Sequence, residues 1–380
     1  MAEIYTTVTK PMIRKTYRYR LFPTRAQAEV FNCQLAEACR LYNAALQERR
    51  DAWRLQRISI TLYDQCKQLK EIRANSDSQL INAQCAQDVL RRVDKTFNDF
   101  FRRLKHGERA GYPRFKSTAR YDSITFPQYP YGCRLLNSNK LRLQGIGNIK
   151  VKLHRSITGK IKTAIIKREA GRWYVCFSVE CEAQPLPEST ACIGIDVGLS
   201  VFVTLSDSSE IANPRYYKEA QEKLRRAQRK VSRRQKGSNR RRKAALLLAR
   251  LHARIRQQRA DFHHKVSRAL VNNYGLIVIE DLNIKGLASG MLAKSINDAG
   301  WSLFTNKLAY KAENAGRTLI KIDPRGTSQI CLCGANTPKT LSQRWPECSS
   351  CGLSASRDHV SAQLILARGL RAQDSTCSVS

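Results

Sequence analysis

Two different periods of apolar residues follow one another along this chain. Residues 12–22 alternate basic with apolar or aromatic side chains, which predicts a strand with one solvent-exposed face. Thr24, followed by Gln27 three residues later, forms a capping-box pattern that predicts the start of a helix. Helical spacing then recurs to about residue 105, at Phe31, Leu35, Ala38, Tyr42 and Ala45 and again at Val89, Val93, Phe97, Phe100 and Leu104.

Beyond residue 106 the apolar period changes to two, which is typical of strands. The pair Ala170-Gly171 separates two such segments, as in a hairpin. We therefore expect a small β-barrel made of residues 1–22 and 106–185, with a helical unit at 23–105 inserted in it. The strand-like segments are 140–143, 149–153, 163–167 and 173–179.

A second domain is predicted after residue 189. Two prolines at 184–188 indicate a linker, and the apolar segments 192–197 and 276–280 predict buried strands. Strands mixed with helical segments predict an α/β domain over 190–325, so the whole chain is expected to be a multidomain α/β protein. The remaining predicted segments are a cysteine-containing insertion (326–354), a last helix of the second domain (355–372) and a disordered tail (373–380).

The charge of the chain predicts a polyanionic partner. The net charge is +36 and the pI is about 10.1. The basic residues run along the whole chain, which favours nucleic acid over a merely solvated surface. Sixteen basic residues and no acid lie between Lys223 and Arg259, which predicts contact with a nucleic-acid backbone. The predicted contact residues are Arg225, Arg226, Arg229, Lys230, Arg233, Arg234, Arg240, Arg241, Arg242 and Lys243.

The cysteines predict a reducing compartment and one metal site. Most of the thirteen stand alone in apolar runs, as reduced core residues of a cytoplasmic protein do. No apolar run is long enough to span a bilayer and the first residues lack a hydrophobic signal, so no membrane partner is expected. Four cysteines are spaced as ligands of Zn²⁺, although the first pair is one residue shorter than usual; a metal-free ribbon is the alternative. They are Cys331, Cys333, Cys348 and Cys351.

Three acids stand in positions that suit Mg²⁺. Asp196 lies in an apolar strand between glycines, Glu280 ends an apolar strand, and Asp358 begins a helix. A charge in an apolar strand is costly unless a partner such as a cation compensates it. The alternative is that each is an ordinary acid at the end of its element. If the fold brings them together, they suit phosphodiester hydrolysis with two Mg²⁺ ions.

At these residues the chain resembles the TnpB family, transposon-encoded RNA-guided nucleases related to compact type V CRISPR effectors. The resemblance covers nearly the whole chain. Three positions depart from the family pattern: the shortened Cys331/Cys333 pair, Ser356 in place of a frequent Asp, and Val360 in place of the usual Asn. The matching segments are 19–24 with Gln27, 40–43, 100–103, 111–116, 194–198, 261–265, 279–283, 299–301, 310–313, 327–329 and 357–358.

The resemblance implies both an architecture and an activity. It implies a β-barrel wedge domain, an inserted helical recognition domain, an RNase H-like RuvC nuclease domain and an inserted zinc ribbon. Asp196, Glu280 and Asp358 would be the three catalytic, Mg²⁺-binding carboxylates. The protein would cut double-stranded DNA beside a short transposon-associated motif, directed by a guide RNA from the transposon end.

Alternative functions remain open at this stage. An RNA-guided DNA-binding repressor with weak or no cleavage would usually have lost a catalytic acid, and none is lost here. A strand-transfer transposase is less favoured, because no tyrosine or serine stands in a recombinase-like context. A structural RNA-binding protein without a DNA target is the remaining alternative.

Overall fold

The computed structural model describes residues 11–75, 81–137, 139–338 and 343–377, with only the backbone of 374–377. The chain divides into two compact units, Met1–Glu182 and Ala183–Ser380. The division falls just before the proline-containing segment that was predicted to be a linker. Within the described ranges, no helix is both long and apolar enough to cross a membrane.

The first unit contains a seven-stranded antiparallel sheet that forms a nearly closed barrel. Its strands are β1 (Met12–Phe22), β2 (Ser123–Phe126), β3 (Cys133–Leu136), β4 (Lys140–Leu143), β5 (Gly147–Lys152), β6 (Lys160–Glu169) and β7 (Arg172–Glu182). They are ordered β2-β6-β7-β1-β5-β4-β3. The predicted hairpin between β6 and β7 is confirmed. Ala170 and Gly171 both have positive φ, which gives a tight turn that matches the twist of the two strands.

Helices of the first unit pack on this sheet or on one another. They are α1 (Arg25–Asp51), α2 (Leu62–Ala74) and α3 (Ala83–Lys105), and a π-helical turn (Ala52–Gln56) follows α1. Helices α1 and α3 pack on this sheet, and the third helix, α2, packs on α3. The predicted capping box is confirmed: the Gln27 amide donates to Thr24 Oγ1 at 3.3 Å, and the Thr24 amide donates to Gln27 Oε1 at 3.0 Å. Phe31 of α1 stacks on Trp173 of β7 with ring centroids 4.5 Å apart. Helices and sheet therefore share one apolar core.

The apolar stripe of α3 is only partly buried. Val89, Val93 and Phe97 lie in the core, as their helical spacing predicts. Leu104, which continues the same stripe, is 49% exposed, and the neighbouring Phe101 is 58% exposed. The helix therefore extends its apolar face beyond the core that it packs against.

The second unit is built on a mixed five-stranded sheet. Its strands are β8 (Cys192–Val197), β9 (Val201–Leu205), β10 (Glu210–Ala212), β11 (Leu276–Glu280) and β12 (Thr318–Ile322). Its helices are α4 (Tyr216–Ser232), α5 (Asn239–Asn273), α6 (Ile284–Leu287), α7 (Ala293–Ala299), α8 (Trp301–Ala315) and α9 (Arg357–Cys377). The strand order is β10-β9-β8-β11-β12, in which β8, β9 and β10 are antiparallel and β11 runs parallel to both β8 and β12.

Helices cover both faces of this sheet. Ile193 and Ile195 of β8 share a core with residues of α5 and α8, whereas Val278 of β11 packs with Ile365 of α9 on the opposite face. Side chains alternate along a strand, so Gly194 and Asp196 lie on the face that α9 covers. Burial on both faces explains why β8 and β11 are continuous apolar runs in the sequence.

The last helix is longer than predicted. It runs from Arg357 to Cys377, whereas the sequence predicts a helix that ends at Gly369, within the segment 355–372. The first part of the predicted disordered tail therefore belongs to this helix. Residues 378–380 of that tail lie outside the described residues.

Two glycines let α9 approach the sheet closely. A Cβ added at Gly194 would lie 2.1 Å from the carbonyl oxygen of Ala362 and 2.8 Å from the amide nitrogen of Leu366. A Cβ at Gly369 would lie 2.4 Å from a methyl carbon of Val278. Contact between backbone and backbone is possible at Gly194 only without a side chain.

Gly194→Ala should therefore destabilise the second unit by about 3 kcal/mol, because the backbone of α9 must move away from β8. Chemical denaturation of the purified protein measures this change. Gly290→Ala is the matched control, since its Cβ would meet its nearest atom at 4.0 Å, and it should change the unfolding free energy little. Equal stability of the two variants would contradict the close packing described for α9.

Candidate functional site

The fold brings the three predicted acids to one edge of the second sheet. Asp196 lies near the carboxyl end of β8 and Glu280 ends β11; these strands are parallel, with Gly194 opposite Val278. Asp358 lies in the first turn of α9, the helix that covers this face. The three carboxylates are close enough for Glu280 and Asp358 to perturb the ionisation of Asp196.

Burial disfavours the ionised forms of Asp196 and Glu280, and neighbouring negative charges add to this effect at Asp196. Burial, together with the negative charges of Glu280 and Asp358, raises the pKa of Asp196 to about 7. Burial also raises the pKa of Glu280, while a hydrogen bond from Thr327 opposes that shift. Ionising Asp196 and Glu280 together is therefore unfavourable unless a cation compensates their charges.

Two of these acids are held by side chains outside the set predicted from the sequence. Thr327 donates its hydroxyl to Glu280 Oε1 at 2.5 Å. Arg344 Nη1 lies 3.2 Å from Asp358 Oδ2, and Arg344 Nη2 donates to Ser200 Oγ at 2.8 Å. Thr327 lies in a segment that matches the TnpB pattern, which was a usable signal. Arg344 lies in an irregular segment, and nothing in its local sequence indicates this contact.

A cavity of about 300 Å³ adjoins Glu280. Its wall combines apolar side chains of β8 and β11 with polar groups such as Asn283, Thr305 and Lys321. Of the three acids the cavity includes Glu280, and its other lining residues, such as Ile195 and Phe304, belong to the face of the sheet that α8 covers.

The four predicted cysteines come together in the insertion before α9. Within the described part of the chain, they are the group of metal-ligating side chains whose donor atoms all lie within 4.8 Å of one another. The Sγ atoms of Cys331 and Cys351 are 3.7 Å apart, and those of Cys333 and Cys348 are 3.8 Å apart. A tetrahedral Zn²⁺ with Zn–S bonds of about 2.3 Å requires sulfur atoms about 3.8 Å apart. Both distances match this value, and all four sulfur atoms lie within 4.8 Å of one another. The spacing of the sulfur atoms is therefore compatible with zinc despite the shortened first pair.

Backbone donors favour a thiolate in this cluster. The amides of Cys351 and Ser350 lower the pKa of Cys348 to about 6. Val360, which departs from the family pattern, is buried and lines a small cavity with Cys331 and Cys348. The valine that replaces the usual Asn therefore packs beside the cysteine cluster.

Some of the predicted nucleic-acid contact residues pair with other groups of the protein, and five of the predicted residues line a surface cleft. Arg241 Nη1 donates to the carbonyl oxygens of Val231 and Arg234, at 3.0 and 2.8 Å, and so ties α5 to the end of α4. Arg225 and Arg226 pair with Glu222. Arg226 also lines a surface cleft, together with four further basic side chains: Arg229, Lys230, Arg233 and Arg234.

Three family profiles match consecutive parts of the chain. Residues 12–57 match a profile described as "Helix-turn-helix domain", which here covers strand β1 and the long helix α1. Residues 174–290 match OrfB_IS605, described as "Probable transposase". Residues 301–365 match "Cas12f1-like, TNB domain", which spans the cysteine cluster and the start of α9.

Known proteins resemble the chain over nearly its whole length. A "Putative RNA-guided DNA endonuclease" of Streptomyces pristinaespiralis is 33% identical over 371 residues, which cover 95% of this chain and 90% of that protein. InsQ of Escherichia coli (strain K12), which bears the same description, is 30% identical over 93% of this chain and 92% of its own length. The solved structure of CasPhi-2 (Cas12j) bound to crRNA has a similar fold, with a TM-score of 0.50 at 9% identity, over 95% of this chain and 98% of that one. The identity and coverage of these relatives show that the chain belongs to the TnpB family.

Proposed function

We propose that this protein is an RNA-guided endonuclease that cuts double-stranded DNA beside a short transposon-associated motif. The observation that carries the proposal is the placement of Asp196 near the end of β8, Glu280 at the end of the parallel strand β11 and Asp358 in the first turn of α9, the helix that covers this face. The descriptions of the relatives support both the guide RNA and the DNA substrate. The net charge of +36 supports a nucleic-acid partner.

The finer architecture is part of the same proposal. Three antiparallel strands followed by two parallel ones, in the order β10-β9-β8-β11-β12, support an RNase H-like fold of the RuvC type. We assign the barrel sheet of the first unit as the wedge domain and helices α1 to α3 as the recognition domain. The cysteine-containing insertion would be a zinc ribbon.

In the proposed mechanism Asp196, Glu280 and Asp358 hold Mg²⁺. Bound Mg²⁺ would supply an activated water and would stabilise the charge on the leaving oxygen. The role of the three acids is to provide oxygen ligands on rigid elements. Thr327 fixes the rotamer of Glu280 through its hydrogen bond. Arg344, which pairs with Asp358, brings a guanidinium to the place where a substrate phosphate would lie.

Asp196→Ala should abolish cleavage and leave nucleic-acid binding nearly unchanged, because it removes a metal ligand and no contact with the guide. Loss of several kcal/mol of transition-state stabilisation lowers the rate by about a thousandfold or more. Plasmid cleavage with the co-purified RNA, with Mg²⁺ and with EDTA, measures this. Asp281→Ala, which removes an exposed acid beside Glu280, is the control and should retain activity. A wild-type protein that binds target DNA without cutting it would instead support the repressor.

Asp196→Asn should stabilise the metal-free protein in a pH-dependent manner. The pKa of Asp196 is about 7 in the folded protein, against about 3.9 for an unfolded chain, so its ionisation opposes folding as the pH rises between these values. The amide mimics the protonated acid. Thermal unfolding in EDTA should give a gain of several degrees at pH 8 and almost none at pH 4. A gain of the same size at both pH values would exclude charge repulsion as its cause.

The purified protein should contain about one zinc per chain. Cys348→Ser should remove it, because three thiolates bind Zn²⁺ far more weakly than four. Metal analysis by mass spectrometry checks both statements. Cys192→Ser, which changes a cysteine outside the cluster, should keep the metal. Wild-type protein free of zinc after purification without chelators would contradict this assignment.

A further inference from the structure

The exposed end of α3 carries a group of apolar side chains that the proposed mechanism does not use. Phe101 and Leu104 lie on the helix face that is buried one turn earlier at Phe97. Tyr112, from the segment after the helix, is 46% exposed beside them. We call Phe100, Phe101, Leu104 and Tyr112 the α3 patch.

The rings of the α3 patch hold one another in place. Phe100 packs edge to face on Phe101, with centroids 5.3 Å apart, and on Tyr112, at 5.4 Å. Phe97 in the core contacts Phe101 at 6.4 Å and Tyr112 at 6.0 Å. The exposed rings are therefore already ordered, so a ligand that stacks on them loses little side-chain entropy.

The segment that carries Tyr112 is irregular but anchored. Residues 108–117 belong to no helix or strand. Asn43 of α1 nevertheless pairs with the backbone of Lys116 twice, accepting from its amide at 2.9 Å and donating to its carbonyl at 2.8 Å. The ammonium of Lys116 lies 4.2 Å from the centroid of the Tyr42 ring. An irregular segment held this firmly on the surface is typical of a binding surface.

The segment that contains the α3 patch is strongly basic, and this charge indicates which kind of molecule binds there. Residues 100–116 contain six basic residues and one acidic residue. This excess of positive charge favours a polyanionic partner. Aromatic rings among cationic side chains are the combination that binds single-stranded nucleic acid, because bases stack on the rings and phosphates meet the cations.

We propose that the α3 patch binds unpaired bases of the guide RNA by stacking. This inference rests on the proposed function, which supplies the RNA partner. In intact duplex DNA the bases already stack on one another, whereas unpaired RNA bases are free to stack on protein rings. The guide is also the partner that stays bound between DNA targets, so it can cover the apolar surface permanently. Phe101 and Tyr112 are the stacking platforms, and Arg102, Arg103 and Arg114 lie beside them in sequence to meet phosphates.

The test uses full-length protein freed of nucleic acid and the RNA recovered from the wild-type complex, transcribed in vitro. Phe101→Ala combined with Tyr112→Ala should weaken RNA binding by about 10- to 100-fold, and the slope of affinity against salt should stay unchanged because no phosphate contact is lost. Phe101→Tyr combined with Tyr112→Phe keeps both rings and should bind as the wild type does. Tyr131→Ala, which removes an even more exposed ring elsewhere in the first unit, is the control. Thermal unfolding verifies that each variant is folded.

Three results would overturn the inference. RNA affinity of the double alanine variant within twofold of the wild type would exclude stacking on the guide. Unchanged RNA affinity with weakened binding of target duplex would assign the α3 patch to DNA. A change in oligomeric state alone would assign it to a second copy of the chain. Cleavage by the wild-type protein with the same RNA tests the proposed function separately, so failure of one is distinguishable from failure of the other.

Discussion

The close packing of α9 on β8 and β11 is the constraint on which the second unit depends. Gly194 lets the backbone of the helix touch the backbone of the strand, and this contact fixes where Asp358 begins the helix relative to Asp196. Three carboxylates are thereby held together at a cost that the pKa of Asp196 records. A bound cation would offset the cost of ionising these buried acids.

The insertion that carries the cysteine cluster directly contacts one of the three acids and the helix that bears it. The insertion that holds Cys348 ends immediately before α9, and its Arg344 reaches Asp358. Val360, one turn into the helix, packs beneath the cluster. A rigid cysteine cluster would therefore hold the guanidinium of Arg344 and the first turn of α9 in fixed positions. A Zn²⁺ bound by the four cysteines would make this insertion more rigid and so hold Arg344 and Asp358 in place.

The basic residues of the chain serve more than one purpose. Arg49 is buried and pairs with Asp94 and Gln65, so its charge is used inside the helical part of the first unit. Arg241 joins two helices of the second unit. Other cations, such as Arg229 and Lys230, line an open cleft. Net charge alone predicts a polyanionic partner but not which side chains meet it, because buried and exposed arginines look alike in sequence.

The sequence alone determined the elements that follow from local rules. The capping box at Thr24, the hairpin turn at Ala170-Gly171 and the apolar strands that end near Asp196 and Glu280 are all legible from residue type and spacing. Only the tertiary structure decided that Leu104 lies outside the core and that α9 continues to Cys377, because burial depends on which elements meet. It also decided the contacts of Arg344 and Thr327 with the acids and the spacing of the four sulfur atoms. These contacts join residues that are distant in the chain, and no local pattern encodes the path by which the backbone brings them together.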